Sequence, residues 1–393
     1  MKKIFFLLLV FTSVSNFSNA QWQLCGLVPS TTRMAIKDTN IFVVTAGIGI
    51  SLSTNNGNTW STLSGISNRG IENVVVNGTK LFAGSGNRGV FLSFDNGASW
   101  VQTNNGLTDT NITCLAICGN NIFAGTFSHG IFVSSNNGAT WSAVNNGLTN
   151  PYIKSIAVSG SNIYAGTSYF NGGVFLSSNN GVNWTLLNNG LQQEDVLELA
   201  IKDTNIFVAY PTHGIYLSSN NGVNWSQINN GLTDTNIQAL KVCGSNIFTA
   251  TVFDNVFIST NNGANWISFS DNWVGGHDIN DFAINQVYIF AADAGGVWRR
   301  RISEIPSCIK EELVNSNLIV YPNPTMDNFT IDVSASLNIP ATIEISNIQG
   351  QLLKTLTTTD TKTNIDVSSF PSGVYIVEVK TEKGIAVKKF IKE

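Results

Sequence analysis

The feature that most constrains the fold of this chain is an eight-residue pattern, Ser-x-Asn/Asp-x-Gly-x-x-Trp, which occurs six times. The third copy runs from Ser134 to Trp141. Successive copies are about 41 residues apart, a period that indicates a propeller or a solenoid. Each copy lies between two apolar runs, which predicts a turn joining two strands. The Asx side chain can bond the backbone N–H groups of the turn, the Gly permits a positive φ, and the Trp adds a large apolar group to the core.

This pattern resembles the Asp-box of sialidase-like β-propellers, and six regularly spaced copies make the resemblance specific. Asn replaces Asp at the third position in every copy except the one that contains Asp95. The loss of the charge favours a structural role for this position. In that superfamily the Asp-box lies on the face opposite the active site, so the resemblance implies an architecture and not an activity.

Residues 1–20 have the features of a secretory signal peptide. Lys2 and Lys3 precede an apolar run over Ile4–Phe11, and Ser18-Asn19-Ala20 forms a small-residue cleavage site. The apolar run is too short to span a bilayer, and the alternative is a retained membrane anchor. No later segment reaches spanning length, so the mature protein is predicted to be secreted or attached to the outer cell surface, without a transmembrane segment.

Composition excludes some classes of function. The chain has 393 residues, of which 12% are charged, and its formal net charge is -4. It lacks the basic stripe that nucleic-acid binding requires. Its five cysteines are odd in number and irregular in spacing, which is not a disulfide framework. We predict no cofactor, and no Gly-Lys-Ser/Thr phosphate loop follows a strand. We also predict no metal site, because three histidines from different blades would have to converge in a narrow central channel.

Each repeat reads as four short strands, which indicates an all-β array. In the third repeat we predict strands over Ile112–Ile117, Asn121–Thr126, Gly130–Ser134 and Trp141–Val144. The hairpin formed by the second and third strands recurs seven times, although the turn pattern occurs only six times.

The last repeat lacks a fourth strand, and the other end of the chain offers one. The segment Trp22–Leu27 resembles a shortened fourth strand, with Trp followed by Gly-Leu. Its pairing with Gly296–Ile302 would close a seven-bladed β-propeller over residues 21–302 and remove the free sheet edges. The alternative is an open solenoid.

The pattern changes after residue 302. Residues 303–317 are predicted to be a linker, and residues 318–393 a small Ig-like antiparallel β-sandwich. Alternation of apolar and polar residues in Phe329–Val333, Thr342–Ile345 and Val374–Val379 supports the strands.

This last segment resembles the C-terminal sorting domain of the type IX secretion system of Bacteroidetes. The matching motifs are Tyr321-Pro322-Asn323-Pro324, Gln349-Gly350-Gln351, Gly373–Val377 and the basic end Lys388–Ile391. The resemblance implies that the type IX machinery is a partner and that the chain is exported across the outer membrane. It also implies removal of this domain, with either release or surface attachment. The alternative is an ordinary Ig-like module.

Ligand sites of propellers usually lie on the face that carries the inter-blade loops and the hairpins between the second and third strands. All three histidines map to this face, and the loops there differ between repeats, unlike the repeated turns. Exposed aromatic side chains beside a few polar groups suit a sugar ring or a peptide. The alternative is that these loops are ordinary solvated turns. The predicted ligand contacts are Arg88, His129, Tyr169, Phe170, Tyr210, His213, Phe253, Asp254 and His277.

The predicted function is therefore non-catalytic binding of an extracellular glycan or protein. The alternative is a glycoside hydrolase with paired carboxylates, formed by Glu194 or Asp195 with Asp254, Asp278 or Asp293. Sialidases hold the carboxylate of their substrate with three arginines. Sialidase activity is disfavoured here, because three of the six arginines are consecutive on one strand and cannot all point at one carboxylate. A third possibility is an assembly scaffold, as in similar propellers that help build photosynthetic complexes, and the secretion signals argue against it.

Overall fold

A computed structural model describes residues 22–26, 28, 30–169, 171–252, 255–270, 273, 276–305, 318–332, 341–347, 352–381 and 384–393. The chain forms two compact units, residues 1–308 and residues 309–393. The predicted signal peptide, most of the predicted linker (306–317) and the motif Gln349-Gly350-Gln351 lie outside the described residues.

The first unit is built from seven four-stranded antiparallel sheets, each a blade in which consecutive strands are neighbours. The first strand of the chain, β1 (Gln23–Gly26), belongs to the last blade. Blade 1 contains β2 (Thr31–Lys37), β3 (Asn40–Thr45), β4 (Gly49–Ser53) and β5 (Ser61–Thr62). Blade 2 contains β6 (Ile71–Asn77), β7 (Lys80–Ser85), β8 (Gly89–Ser93) and β9 (Val101–Gln102). Blade 3 contains β10 (Ile112–Cys118), β11 (Asn121–Thr126), β12 (Ile131–Ser134) and β13 (Ser142–Ala143).

The remaining blades repeat this arrangement. Blade 4 contains β14 (Ile153–Ser159), β15 (Asn162–Thr167), β16 (Val174–Ser177) and β17 (Thr185–Leu186). Blade 5 contains β18 (Glu198–Lys202), β19 (Asn205–Tyr210), β20 (Gly214–Ser218) and β21 (Ser226–Gln227). Blade 6 contains β22 (Ile237–Cys243), β23 (Asn246–Thr251), β24 (Asn255–Ser259) and β25 (Ile267–Ser268). Blade 7 contains β26 (Ile279–Ile284), β27 (Tyr288–Asp293) and β28 (Val297–Arg301), and β1 completes it.

The pairing of β1 with β28 closes the ring. The two strands are antiparallel, and Gln23 lies opposite Arg299 while Leu24 lies opposite Trp298. The prediction of a seven-bladed propeller is therefore confirmed, including its closure by the N-terminal segment. The outermost strands are shorter than predicted: β13 spans two residues, whereas the sequence suggested four. Short outer strands leave few unpaired backbone groups at the rim of each blade.

The repeated turns have one geometry, shown here for the third copy. The Ser134 hydroxyl accepts the backbone N–H of Gly138 at 2.8 Å, and Oδ1 of Asn136 accepts the N–H of Thr140 at 2.9 Å. Asn137 and Gly138 have φ values of 58° and 83°. The turn therefore needs two consecutive left-handed residues, which explains the Asn-Gly pair.

The tryptophans that end these turns connect neighbouring blades. The indole Nε1–H of Trp141 donates to the carbonyl of Thr103 in the outer segment of blade 2, at 2.7 Å. The accepting residue is three positions after the tryptophan of the preceding repeat. The same relation holds for Trp184 with Val144, Trp225 with Leu187, Trp266 with Ile228, Trp22 with Phe269, and Trp60 with Cys25. Trp100 instead donates to Gly97 of its own turn.

The core of the propeller lies between facing blades. The second strand of each blade carries a buried aromatic residue at its third position. These residues are Phe42, Phe82, Phe123, Tyr164, Phe207, Phe248 and Phe290. Burial of a side chain of this size contributes about 1.5–3 kcal/mol relative to exposure. The four cysteines within the described residues form no disulfide, and Cys118 and Cys243 are buried.

The second unit contains two antiparallel sheets around one apolar core. The first sheet contains β29 (Ile319–Tyr321), β30 (Asn328–Asp332) and β33 (Lys362–Asp366). The second contains β31 (Ala341–Asn347), β32 (Leu352–Thr358), β34 (Gly373–Thr381) and β35 (Gly384–Lys392). The side chain of Asn323, in the Tyr-Pro-Asn-Pro motif, accepts the N–H of Ile391 at 2.9 Å and donates to the Lys389 carbonyl at 3.2 Å. This motif is thereby fixed to the last strand.

The one helical element in the described part of the chain is a short 3-10 turn, Ile302–Glu304. In the part of the chain that the structure describes, no helix has the length and apolar character needed to cross a membrane.

Candidate functional site

One face of the propeller carries the hairpins between second and third strands and the loops between blades, and we call it the loop face. Backbone hydrogen bonds join the two kinds of loop. Gly130 in the hairpin of blade 3 donates its N–H to the carbonyl of Pro151 in the next inter-blade loop, at 3.0 Å. Gly89 and Gly214 make equivalent bonds to Thr110 and Thr235. The loop face is therefore a continuous, hydrogen-bonded surface.

Three aromatic side chains meet on this face over blades 3 and 4. Phe127 comes from the hairpin of blade 3, Tyr152 from the loop that follows that blade, and Tyr169 from the hairpin of blade 4. Their ring centroids are 5.3 to 5.9 Å apart, and each pair packs edge to face. Phe127 is 41% exposed and Tyr169 is 51% exposed. We call these three residues the aromatic cluster, an apolar surface open to solvent.

The backbone of Tyr169 is held in an uncommon conformation. Six residues (168–173) separate β15 from β16, against four (127–130) between β11 and β12. Within the longer hairpin Tyr169 has a φ of 53°, which L-residues other than Gly, Asn and Asp seldom adopt. The backbone N–H of Tyr169 donates to Oδ1 of Asp195 at 2.7 Å, and its carbonyl accepts the Asn150 amide at 2.9 Å. These bonds stabilise a conformation that leaves half of the tyrosine ring exposed.

A cleft of about 370 Å³ lies next to Tyr169, between the hairpins of blades 4 and 5. Its lining includes Tyr169, Asn171, Gln193, Glu194, Asp195 and Thr212. Gly172 brings the blade 4 hairpin close to the neighbouring loop, because a Cβ atom there would stand 2.1 Å from the Glu194 carbonyl. Any side chain at this position would therefore deform the wall of the cleft.

His129 and His213 occupy equivalent positions in the hairpins of blades 3 and 5, and each binds a carboxylate. Nδ1 of His213 lies 2.8 Å from Oε2 of Glu194, and Nδ1 of His129 lies 3.2 Å from Oδ2 of Asp109. The neighbouring hydroxyl of Thr212 contacts the same Nδ1 of His213, at 2.8 Å. A catalytic triad needs the hydroxyl and the acid on opposite ring nitrogens. Because Thr212 and Glu194 share one nitrogen of His213, the arrangement is not a catalytic triad, and the contacts instead hold the hairpin of blade 5 against the inter-blade loop that carries Glu194.

The carboxylate of Asp109 is the centre of the hydrogen bonds in the blade 3 hairpin. It accepts the backbone N–H groups of Asn111 and Ser128 at 2.9 and 3.0 Å. Partial burial pushes the pKa of Asp109 upward, but these bonds and the His129 ring outweigh burial and hold it below its ordinary value. The group is therefore ionised at neutral pH and keeps the hairpin ordered.

Of the other predicted contacts, the three that the structure describes do not join this surface. Arg88 is exposed in the hairpin of blade 2, and His277 is exposed between blades 6 and 7, beside Gly295. Tyr210 is completely buried, and its hydroxyl donates to the Gln192 carbonyl at 3.0 Å. Its placement on the exposed surface was wrong: it is the last residue of β19, a strand covered on both sides. Phe170, Phe253 and Asp254 lie outside the described residues.

Three of the carboxylates considered for hydrolysis accept hydrogen bonds from the protein itself. Asp293 is completely buried, accepts Nε1–H of Trp298 at 3.0 Å and accepts the N–H groups of Gly295 and Gly296. Its use as a catalytic acid or base was therefore a wrong hypothesis. Glu194 and Asp195 hold His213 and Tyr169 as described above.

Sequence reasoning missed a group of charged residues on the innermost strands. Arg33 from β2, Glu198 from β18 and Asp281 from β26 lie within electrostatic reach of each other, and we call them the channel cluster. Oδ2 of Asp281 accepts the N–H of Met34 at 2.8 Å, and Oε2 of Glu198 accepts the N–H of Leu240 at 3.1 Å. Each carboxylate thus binds an innermost strand of the following blade.

The electrostatics of the channel cluster are set by burial and by its own charges. Burial raises the pKa of Glu198; Arg33 lowers it, Asp281 raises it further, and the net shift is upward. Burial alone would lower the pKa of Arg33, but the carboxylates of Glu198 and Asp281 hold it above its ordinary value. Across the described ranges no group of three His, Cys, Asp or Glu side chains is arranged to hold a metal ion.

Comparison with known protein families identifies the export route of the protein. Residues 319–393 match the family described as the secretion system C-terminal sorting domain. The protein is exported by type IX secretion, to the cell surface or the medium. No curated protein matches the chain by sequence.

Solved structures with the same fold have different names and roles. YCF48 from Cyanidioschyzon merolae is 16% identical, covers 72% of this chain and 98% of its own, and superposes with a TM-score of 0.59. The GH74 xyloglucanase of Xanthomonas campestris is 12% identical and covers 94% and 75%, with a TM-score of 0.58. The extracellular domain of the putative one-component system BT4673 from B. thetaiotaomicron is 12% identical and covers 95% and 59%, with a TM-score of 0.57. At these identities the likeness shows the propeller fold alone.

Proposed function

We propose that the propeller is a non-catalytic binding module that recognises a glycan or a protein outside the cell through the loop face of blades 3 to 5. The observation that carries this proposal is the exposed aromatic cluster, whose Tyr169 is fixed by Asp195 and Asn150. Rigid, exposed aromatic rings supply contact area at low entropic cost and are enriched among residues that dominate binding.

Neighbours by structure support both a binding and a hydrolytic role for this fold. One structure of YCF48 contains a bound D1 peptide, and another neighbour is a xyloglucanase. The proposal for this chain rests on its own side chains, since a fold hosts many functions.

The test is a binding screen with the full chain and two variants. Tyr169→Ala removes the most exposed ring of the aromatic cluster. Phe94→Ala removes a ring that is 58% exposed in a repeated turn on the opposite face, and it is the matched control. Defined glycan and peptide arrays are the probes. We expect Tyr169→Ala to weaken binding at least about tenfold and Phe94→Ala to leave it unchanged. Equal binding by all three proteins would contradict the proposal.

Hydrolysis of glycosides is a second candidate because Glu198, with its raised pKa, lies near Asp281 in the channel cluster. A raised carboxyl pKa beside a second carboxylate is the pattern of a general acid and its partner. Binding ranks first because both carboxylates already accept backbone N–H groups of the next blade. Turnover of chromogenic glycosides by the wild type, lost in Glu198→Gln, would reverse this ranking.

A further inference from the structure

The cleft between blades 4 and 5 has a lining that selects a class of ligand. We propose that it is a subsite for one uncharged sugar residue, so that the ligand of the loop face is a neutral oligosaccharide. This inference rests on the proposed binding function and makes it specific. It depends on three properties of the cleft: its charge, its hydrogen-bonding groups and the ring at its mouth.

The charge of the cleft disfavours acidic ligands. Two carboxylates, Glu194 and Asp195, line it, and no lysine or arginine does so among the residues that the structure describes. A uronic acid, sialic acid or sulfated sugar would place its own negative charge beside these groups without a compensating cation. Like charges in such a position are a strong element of discrimination between ligands.

The hydrogen-bonding groups of the cleft suit hydroxyls. Asn171 and Gln193 contribute amides that both donate and accept, and Thr212 contributes a hydroxyl. Asp195 uses Oδ1 for the Tyr169 N–H and has a second oxygen as a further acceptor. A sugar hydroxyl both donates and accepts, so it can bind each of these groups.

The carboxylates of the cleft are also partly occupied by the protein itself. Glu194 accepts the Thr212 hydroxyl at 3.1 Å and lies 2.8 Å from Nδ1 of His213. Asp195 accepts the N–H of Tyr169. Because each carboxylate already has a donor, the cleft does not require a cationic ligand, and this favours a neutral sugar over a lysine or arginine side chain.

The aromatic ring of Tyr169 completes the site. It lines the cleft and is 51% exposed. A pyranose ring has apolar C–H faces and a rim of hydroxyls, so one face can lie on the tyrosine while the rim meets the amides and carboxylates. A volume of about 370 Å³ lies in the range of small-ligand sites.

The test compares two versions of the same oligosaccharides, uncharged and oxidised to uronic acids, together with a peptide array as the third probe. Binding to the full chain is measured by calorimetry and on the array. The variants are Tyr169→Ala, Gln193→Arg and the opposite-face control Phe94→Ala. Gln193 is exposed, so Gln193→Arg adds a cation to the wall of the cleft without disturbing the core.

We expect the wild type to bind uncharged oligosaccharides at least about tenfold more tightly than their uronic-acid versions. Tyr169→Ala should lose about tenfold or more of this binding, and Phe94→Ala none. Gln193→Arg should reduce the ratio of the two affinities, because the added cation raises the affinity for the uronic-acid versions. If the wild type binds the acidic sugars as tightly as the uncharged ones, or binds peptides instead, and Tyr169→Ala loses this binding, the inference is overturned while the binding function stands. If no probe binds in a way that depends on Tyr169, both are overturned.

Discussion

At the scale of single residues, the repeated turns show why Asn can replace Asp. In the third turn Nδ2 of Asn136 donates to the Thr140 hydroxyl at 2.8 Å. In the second turn Oδ2 of Asp95 instead accepts the Ser99 hydroxyl at 2.6 Å. A hydroxyl four residues later can act as donor or acceptor, so either side chain closes the turn. The charge is dispensable, which is the property of a structural position.

The one acidic turn predicts a local pH dependence of stability. Hydrogen bonds from the Ser99 hydroxyl, the Ser99 N–H and the Ser93 hydroxyl lower the pKa of Asp95 from 3.8 to about 2. A lowered carboxyl pKa stabilises the folded state above about pH 4, and this contribution is lost as the pH falls towards 2. We expect the wild type to lose more thermal stability between pH 4 and 2 than Asp95→Asn.

The matched variant is Asn136→Asp, which introduces an acid into the equivalent turn beside Thr140. It should gain the pH dependence that Asp95→Asn loses, because the same backbone N–H and hydroxyl are available. The measurement is the melting temperature of the three proteins from pH 5 to 2. Parallel curves for all of them would show that these turn contacts do not discriminate between the protonated and ionised carboxyl.

Residues of the candidate site could be predicted where a loop signal was strong, as for His129, His213 and Tyr169. The burial of Tyr210 could not be predicted, because β19 is buried on both sides and apolar alternation does not mark where such a strand ends. Phe127 and Tyr152 were missed as partners of Tyr169, since they come from a different hairpin and an inter-blade loop. The packing of blade 4 beside blade 3 is what brings these three side chains together.

At the scale of the elements, β1 acts as the fourth strand of blade 7 in its contacts as well as in its pairing. Trp22 donates to Phe269, three residues after Trp266, and Trp60 donates to Cys25, three residues after Trp22. The sequence predicted this strand because Trp followed by Gly-Leu is the pattern of the other outer strands. The sequence did not predict how short those outer strands are, because the residues on either side of the two paired ones have a composition that is also typical of strands.

The closing strand predicts a large effect of one side chain. Trp22 is 4% exposed and packs edge to face on Phe269 and Trp273, at 6.2 and 5.3 Å between centroids. We expect Trp22→Ala to cost about 3–5 kcal/mol of unfolding free energy. Leu24→Ala, in β1 two residues after Trp22 and at a position that is 45% exposed, should cost less than about 0.5 kcal/mol. Urea unfolding of the full chain measures both, and equal costs would contradict a closure that depends on Trp22.

At the scale of the whole molecule, the channel cluster joins blades that are far apart in the sequence. Arg33 and Asp281 are 248 positions apart, and closure of the ring is what makes them neighbours. The Arg33 guanidinium donates to the Asn280 carbonyl at 3.1 Å, and the Asn280 amide donates to the Thr31 carbonyl at 2.8 Å. No local pattern marks these residues as partners, since each is only one of several polar residues in its strand.

This cluster predicts how the stability of the propeller varies as the pH rises above the ordinary pKa of a glutamate. Burial and Asp281 raise the pKa of Glu198 despite the opposing effect of Arg33. A carboxyl whose pKa is raised by folding stabilises the folded state most below its ordinary pKa of 4.5, and this advantage is lost as the pH rises through the folded-state value. Glutamine cannot ionise, and its Oε1 can still accept the Leu240 N–H. The stability of Glu198→Gln relative to the wild type should therefore increase as the pH rises from 4 to 7. Melting temperatures across this range measure the difference. A difference that stays constant or decreases with pH would contradict a raised pKa, because Arg33, Lys241 and the Leu240 N–H would then offset or outweigh the effects of burial and Asp281.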